Sequence, residues 1–391
     1  MRHHHLGIAS IRRQASWPRC HAFRDGGLLH YRRRDGALFE QTPSHAELGR
    51  GLVYSSASFV REAPLKAYFD FTNRCNLSCR HCITSSSPQV DTSTELPTAR
   101  ILTLVSELAD IGVLEIAVGG GEPLIHPDWV VLFEHVTSVG INLIITTNGL
   151  KVTSTVVDVM QQIAPLEVRV SFDGGPGLHE HIRGPGTYLK AMKALTLLTA
   201  SGLRAAARLT LCQGADSELP QLFSDLSQAG AKAVKVAVIK PAGRAATHTG
   251  MHLLGYRSSE QAVASLMALG RAQGLRVQLS SDDFPVSATV ANDPKLRDSD
   301  QPNCGAGFET CYISPRGQLL GCVTIPQIGL GDLHATPFLE VWSSRQAAAY
   351  RHRAAATDQR RLCDAFCSQV GGLADGSVPL MTLSPLPRQS R

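Results

Sequence analysis

The chain has 391 residues, 43% hydrophobic and 18% charged, with a formal net charge of +5. That balance supports a sizeable folded core and excludes a fibrous or wholly disordered chain, and no apolar run reaches the roughly 18 residues that span a bilayer. The first twenty residues carry Arg and His without an apolar stretch, so they do not read as a secretory signal.

Residues 1–62 have weak periodicity and hold most of the excess positive charge, including Arg32-Arg33-Arg34. They read as a solvated, partly disordered leader rather than a nucleic-acid contact. Within them, Asp35-Gly36 separates two small apolar runs, Gly27–Tyr31 and Ala37–Phe39, which predicts a short hairpin.

From Leu65 the pattern becomes strand, helix, strand. Strands are expected at 65–72, 114–118, 142–146, 167–172, 204–211, 233–239 and 276–279. Helices are expected between them, at 98–111, 129–139, 152–163, 188–201, 218–229 and 259–273. Such alternation makes βαβ units and a parallel sheet, because each parallel return needs a crossover. Composition leaves open a doubly wound sheet or a partial barrel. After Asp282 the rhythm breaks at a polar linker, Asp293–Pro302, followed by a cysteine-rich segment, one helical stretch at Pro337–Arg353 and a Pro/Ser-rich tail. The expected division is therefore an extension at 1–62, a core domain at 63–290 and a small C-terminal domain at 291–391.

Ten cysteines need a purpose. Without a secretory leader the expected setting is a reducing cytoplasm, where clustered cysteines hold metal rather than form disulfides. Cys75, Cys79 and Cys82 follow the first strand with C-x3-C-x2-C spacing. Three thiolates satisfy three irons of a four-iron cube and leave the fourth open to a chelating ligand. Zinc needs a fourth ligand, and the adjacent His81 is poorly placed to wrap back to the same ion. Five further cysteines lie at Cys304, Cys311, Cys322, Cys363 and Cys367, while Cys20 and Cys212 stand alone as core or incidental residues.

Polar motifs end the successive strands: Gly119-Gly120-Gly121-Glu122-Pro123, Thr146-Thr147-Asn148-Gly149, Ser171-Phe172-Asp173-Gly174 and Lys240-Pro241-Ala242-Gly243-Arg244. Arg183-Gly184-Pro185 lies between the last two. Strand C-termini are where parallel α/β folds place ligand contacts. Glycines permit close backbone approach, and bare carbonyls with a carboxylate can receive an ammonium group.

With these motifs the chain resembles the radical S-adenosylmethionine (SAM) superfamily. The resemblance implies an α/β fold, a partial (β/α)6 TIM-like barrel of parallel strands. It also implies a [4Fe–4S] cluster on Cys75, Cys79 and Cys82 that reductively cleaves SAM to a 5′-deoxyadenosyl radical. SAM contacts are expected at Gly120, Gly121, Glu122, Pro123, Asn148, Ser171 and Asp173. The run Cys304-Gly-Ala-Gly through Gly317 to Cys322 fits C-x12-G-x4-C and resembles the opening hairpin of SPASM and twitch extensions, which bind auxiliary clusters. Only Cys363 and Cys367 follow, enough for one auxiliary [4Fe–4S] cluster with Cys304 and Cys322, with Cys311 as rival to Cys363. A zinc site or metal-free thiols are the other readings of this segment.

Resemblance extends to mycofactocin maturases and to radical dehydrogenases of antibiotic pathways. It implies a reductant such as flavodoxin or ferredoxin and no membrane partner. The expected substrate is a small polar metabolite (sugar, aminocyclitol or nucleoside) that is oxidised, epimerised or decarboxylated. Maturation of a ribosomally made peptide is the alternative, although residues 1–62 look too short for a peptide-recognition domain. From another class, a zinc-stabilised nucleic-acid-binding module has no use for the Gly-Gly-Glu-Pro turn.

Overall fold

The computed structural model describes residues 63–240, 242–248, 260–279 and 305–356, together with three strands nearer the N-terminus. Chain contacts separate residues 1–59 from residues 60–391. In the first unit β1 (His21–Asp25), β2 (Leu28–Arg32) and β3 (Leu38–Phe39) form an antiparallel sheet in the order β1-β2-β3. The expected hairpin is the β2–β3 pair, with Tyr31 opposite Phe39. β1 is an addition that the sequence pattern did not mark.

In the second unit β4 (Lys66–Phe69) leads into α1 (Thr98–Asp110), then β5 (Glu115–Val118), α2 (Trp129–Ser138), β6 (Asn142–Thr147), α3 (Ser154–Ile163) and β7 (Glu167–Phe172). Two helices follow, α4 (Pro176–Arg183) and α5 (Thr187–Ala200), then β8 (Ala205–Leu211), α6 (Leu219–Gln228), β9 (Ala233–Val238), α7 (Glu260–Ala272) and β10 (Arg276–Leu279). Pro176 at the start of α4 and Gly184 at its end punctuate a short helix that the 3.6-residue pattern did not reveal. Helix ends are set by local chemistry: Thr153 caps α3 by accepting a hydrogen bond from the Val156 amide, and α1 stops before Gly112 at φ +83°.

Each strand from β4 to β10 pairs in parallel with the next one in sequence. The order never reverses, which excludes a doubly wound sheet, since that fold needs a switch point. Crossovers of one hand place all helices on one face, so the sheet must curl around the other. Side-chain alternation agrees. Phe69, Ile116, Val118, Leu143, Ile145, Val168, Val170, Phe172, Leu209, Val234 and Val236 enter the apolar core, together with Ile101, Leu104 and Leu108 of α1. The opposite parity carries Asp70, Asn148, Arg169, Ser171, Asp173, Arg208 and Lys235, which face the concave side. The seven parallel strands β4–β10 are those read from the alternation, one more than the six that the resemblance implied, because β10 adds to the β9 edge.

The C-terminal segment continues the same sheet. β11 (Thr310–Ile313) pairs in parallel with β4, Cys311 lying opposite Ala67 and Tyr312 opposite Tyr68. β12 (Gln318–Leu320) and β13 (Gly329–Asp332) complete an antiparallel meander. The single helix expected over 337–353 is two, α8 (Phe338–Trp342) and α9 (Arg345–Ala356), because the Ser344 hydroxyl accepts from the Ala347 amide and starts a new helix. Trp342 is 1% exposed, stacks on Phe338 at 5.9 Å and lies under the Arg351 guanidinium at 4.9 Å. Truncating it leaves a cavity and removes the ring beneath Arg351, whose Nη1 and Nη2 still donate to the carbonyls of Gly307 and residue 342. Trp342→Ala should destabilise this region by about 3–5 kcal/mol, read as faster amide hydrogen exchange in β12, β13 and α9 while exchange in β6–β8 is unchanged.

Candidate active site

The loop after β4 has neither helix nor strand, so hydrogen bonds fix it. Cys75 and Cys79 are buried and Cys82 is half-buried. The Leu77 amide donates to Cys75 Sγ at 3.4 Å, Asn148 Nδ2 donates to the same sulfur at 3.8 Å, and the Ser86 amide donates to Cys82 Sγ at 3.3 Å. Donors aimed at sulfur favour thiolate. Burial works against it, pushing the Cys75 thiol up to about 12 and Cys79 upward, with Cys82 adding to both rises. Neighbouring sulfurs that repel one another as anions suit cations that deprotonate them outright.

The donor set also discriminates between metals. Among the described residues, no three Cys, His, Asp or Glu side chains converge on one ion position. Zinc would need its sulfurs about 2.3 Å from a common centre, whereas a cube takes each thiolate on a different iron. Cys75, Cys79 and Cys82 therefore fit a [4Fe–4S] cluster with one open iron.

Arg244, from the turn after β9, clamps the loop from below. Its Nε donates to the Cys79 carbonyl at 2.8 Å, its Nη2 to the Ser86 carbonyl at 2.6 Å and its amide to the Cys82 carbonyl at 2.9 Å. The Gly-Gly-Gly-Glu turn clamps it from the side. A Cβ on Gly121 would stand 1.9 Å from the Arg74 carbonyl oxygen, and one on Gly120, at φ +84°, would stand 2.6 Å from Asp70 Cβ. Only glycine permits this approach.

Glu122 is fully buried, and its carboxylate accepts from Thr147 Oγ1 at 2.7 Å, the Asn148 amide at 2.8 Å and the Leu124 amide at 3.3 Å. Asn148 Nδ2 in turn donates to Asn76 Oδ1 at 2.7 Å. Glu122 thus knots its own turn to the end of β6 and, through Asn148, to the cysteine loop. Burial pushes its carboxyl up to about 7 despite the three donors, so a cation brought alongside would stabilise its charged form. Gly120, Gly121, Glu122, Pro123 and Asn148 lie together, as expected from sequence.

Asp173 is also fully buried and is taken by protein partners. Arg183 Nε and Nη2 donate to it at 2.5 and 3.0 Å, and His81 Nε2 lies 2.7 Å away. Burial alone would raise its pKa; the Arg183 guanidinium, and then His81, overcome this and hold the carboxyl far below the usual range. Asp173 therefore orients His81, between Cys79 and Cys82. His81 Nδ1 is buried without a partner, a polar atom left for a ligand. Ser171, two residues before Asp173, is half-buried on the concave face. Arg183, Arg244 and His81 all stand inside motifs visible in the sequence, but nothing in the spacing shows that they grip the loop.

In the C-terminal segment Cys304, Cys363 and Cys367 lie outside the described residues. Cys322 follows β12, its Sγ 3.0 Å from Thr324 Oγ1. Cys311 is fully buried on the helix-facing side of β11, within the apolar layer that holds Ala67 and Phe69. Tyr312 points the other way and donates to Asp70 Oδ2 at 2.6 Å.

A model of the radical SAM superfamily matches residues 69–221, and one of the SPASM iron–sulfur cluster-binding domain matches residues 304–369. Residues 69–221 therefore carry a radical SAM domain, and residues 304–369 a SPASM domain. Its relatives include the mycofactocin maturase MftC of Mycobacterium tuberculosis, 27% identical over 67% of this chain and 65% of that protein. The chain thus spans about two thirds of that relative's length. The AdoMet-dependent heme synthase of Methanosarcina barkeri is 24% identical over 73% of this chain and 84% of the relative. Among solved structures, SuiB of Streptococcus suis bound to S-adenosylmethionine superposes with a TM-score of 0.62 at 16% identity, covering 75% of this chain and 68% of that one. The fold is the radical SAM fold, and the cofactors are a [4Fe–4S] cluster and SAM, with auxiliary iron–sulfur in the SPASM domain. The zinc-stabilised binding module is thereby set aside.

Replacing Asp173 by Asn would leave Arg183 buried and unpaired. In this radical SAM core the variant should lose about 3–5 kcal/mol of stability, measured by chemical denaturation. Because the folded pKa of Asp173 lies below its unfolded value, its stabilisation is present above about pH 4 and is lost as pH falls further. The stability of Asp173→Asn should accordingly depend less on pH than that of the wild type below about pH 4.

Proposed function

We propose that the chain reductively cleaves SAM and uses the resulting radical to modify a ribosomally made peptide. The observation that carries the first half is the set of three clustered thiols, two of them buried, tied by Glu122, Asn148 and Arg244 to the strand ends of the radical SAM fold. When bound, the cube supplies the electron that splits SAM into methionine and the 5′-deoxyadenosyl radical. The chain's own residues do the rest. Cys75, Cys79 and Cys82 hold three irons; the Gly120–Gly121 backbone and Glu122 receive the SAM ammonium; His81 and Ser171 face the remainder of SAM; the curled sheet shields the reacting carbon from water.

Support for the peptide substrate comes from the relatives. MftC is a maturase by name, and SuiB has also been solved bound to its precursor peptide SuiA. Both favour a peptide over the small polar metabolite expected from the sequence. A heme-type macrocycle is the second reading, favoured by the greater reach of the similarity to the Methanosarcina enzyme. Reducing power would come from a flavodoxin or ferredoxin. A single auxiliary cluster on Cys304, Cys322, Cys363 and Cys367 is proposed, because Cys311 sits in the apolar layer.

Anaerobic reconstitution should give about eight irons per chain, and the Cys75/Cys79/Cys82 triple alanine variant about four. That variant should make no 5′-deoxyadenosine after dithionite reduction; wild-type amounts would sink the assignment. Cys311→Ala should keep the residual iron of the triple variant, and Cys363→Ala should lose it, whereas the reverse would hand the ligand position to Cys311. A peptide encoded beside the gene should change mass in a SAM-dependent manner. A mass change in a tetrapyrrole instead would decide for the second reading.

A further inference from the structure

Tyr312 stands where the C-terminal hairpin joins the core sheet. It lies on β11 opposite Tyr68 of β4 and opposite Leu320 of β12, and Cys322 follows Leu320 by two residues. Cys311 and Ile313 on either side of it enter the apolar core, so alternation turns the phenol toward the concave face. There its hydroxyl donates to Asp70 Oδ2 at 2.6 Å, and both residues are buried. Burial raises the phenol well above its usual pKa, and the charges of Asp70, Cys82 and Cys322 raise it further. The hydroxyl therefore stays a donor at neutral pH, within the field of sulfurs from both cysteine segments.

Asp70 passes this contact on. Its carboxylate also accepts from the Gly119 amide. A Cβ on Gly120 would stand 2.6 Å from its Cβ and Cγ and 2.9 Å from Oδ2, the oxygen that Tyr312 holds. From the other side the Gly121 amide donates to the Thr72 carbonyl at 3.0 Å and the Glu122 amide to the Arg74 carbonyl at 2.9 Å. The turn is thus pressed between Asp70 and the cysteine loop. Phenylalanine at position 312 would leave Oδ2 buried without that donor, which costs more than the bond itself contributed. Asp70 must then turn toward another donor or take up a proton, and Gly120 moves with it.

We propose that Tyr312 is a positioning residue for SAM: through Asp70 it holds the Gly119–Glu122 turn at the height where that turn receives the SAM ammonium. SAM affinity is then coupled to the docking of the C-terminal hairpin on β4. This rests on the reading that SAM binds at the turn, and the experiment tests the two apart.

The anaerobically reconstituted full-length protein is titrated with SAM by calorimetry. Tyr312→Phe should weaken binding about tenfold, with iron content and circular dichroism equal to wild type. Tyr68→Phe is the control: it removes the hydroxyl of the neighbouring, exposed tyrosine in the same row, and SAM affinity should stay as in wild type. In an Asp70→Ala background Tyr312→Phe should add no further loss, because the two residues act through one bond. Linkage is reciprocal, so SAM should slow amide hydrogen exchange across β11 and β12 in the wild type, a measurement that holds even where the variant fails to fold. A loss of affinity under about threefold in folded Tyr312→Phe, an equal loss in Tyr68→Phe, or wild-type exchange in β11 and β12 indifferent to SAM would overturn the coupling. Glu122→Gln tests the turn itself. Unchanged SAM affinity there, with Tyr312→Phe still weakened, would count against the ammonium site and not against the coupling; loss in Glu122→Gln alone would overturn the coupling and leave the site.

Discussion

A carboxylate buried among a guanidinium and an imidazole, Asp173 with Arg183 and His81, is the interaction on which the site depends. The cysteine loop contributes no ladder of its own, and three sulfurs cannot hold separate irons unless the backbone between them is fixed. Asp173 fixes it from the end of β7 through His81, and Arg183 neutralises Asp173 from the end of α4. Removing either partner would expose the other to the full cost of an unpaired buried charge. The loop geometry is thus coupled to the register of β7, and through the parallel ladder to the whole curled sheet.

Two other buried carboxylates, those of Glu122 and Asp70, behave differently for want of a cation in contact. Glu122 and Asp70 are both pushed up to about 7 by burial, because their partners are neutral donors. Asp70 lies under the Gly119–Gly120 turn and accepts from Tyr312, so the C-terminal hairpin reaches that turn through one hydrogen bond as well as through the β4–β11 ladder. The hairpin therefore extends the core sheet and cannot shift its register against β4 without moving Asp70. Any auxiliary cluster held by Cys322 is positioned by the same sheet that positions Cys75.

Most of the fold was legible because parallel βαβ units leave a strong rhythm. The helix ends marked by Gly112 and Gly140 and the motifs after β5, β6 and β7 could be placed from sequence. α4 was missed since eight residues between Gly175 and Gly184 give too little periodicity to register. The break between α8 and α9 depends on one serine hydroxyl. Within the site, the residue types and spacing of the cysteines carried their chemistry, but nothing in the sequence showed that Asp173 and Glu122 are also held by protein donors. Which side chain grips which carbonyl is decided by tertiary approach, as with Arg244 on the carbonyls of Cys79 and Ser86, and no local pattern encodes it.

With the strands placed, their alternation separates a barrel from a doubly wound sheet, a choice that composition left open. Parallel strands covered by helices on both faces read as continuous apolar runs. β7 is Glu-Val-Arg-Val-Ser-Phe, and the middle of β8 and β9 places Arg208 and Lys235 between apolar neighbours. Alternation in a parallel strand means that one face is wet or holds a polar guest. Since the crossover helices already occupy the apolar face, the polar face must line a cavity. The charges on it are then selected either to balance one another or to meet a substrate. On this face Glu167 pairs with Arg169 and Lys235, so part of that charge is balanced within the protein itself.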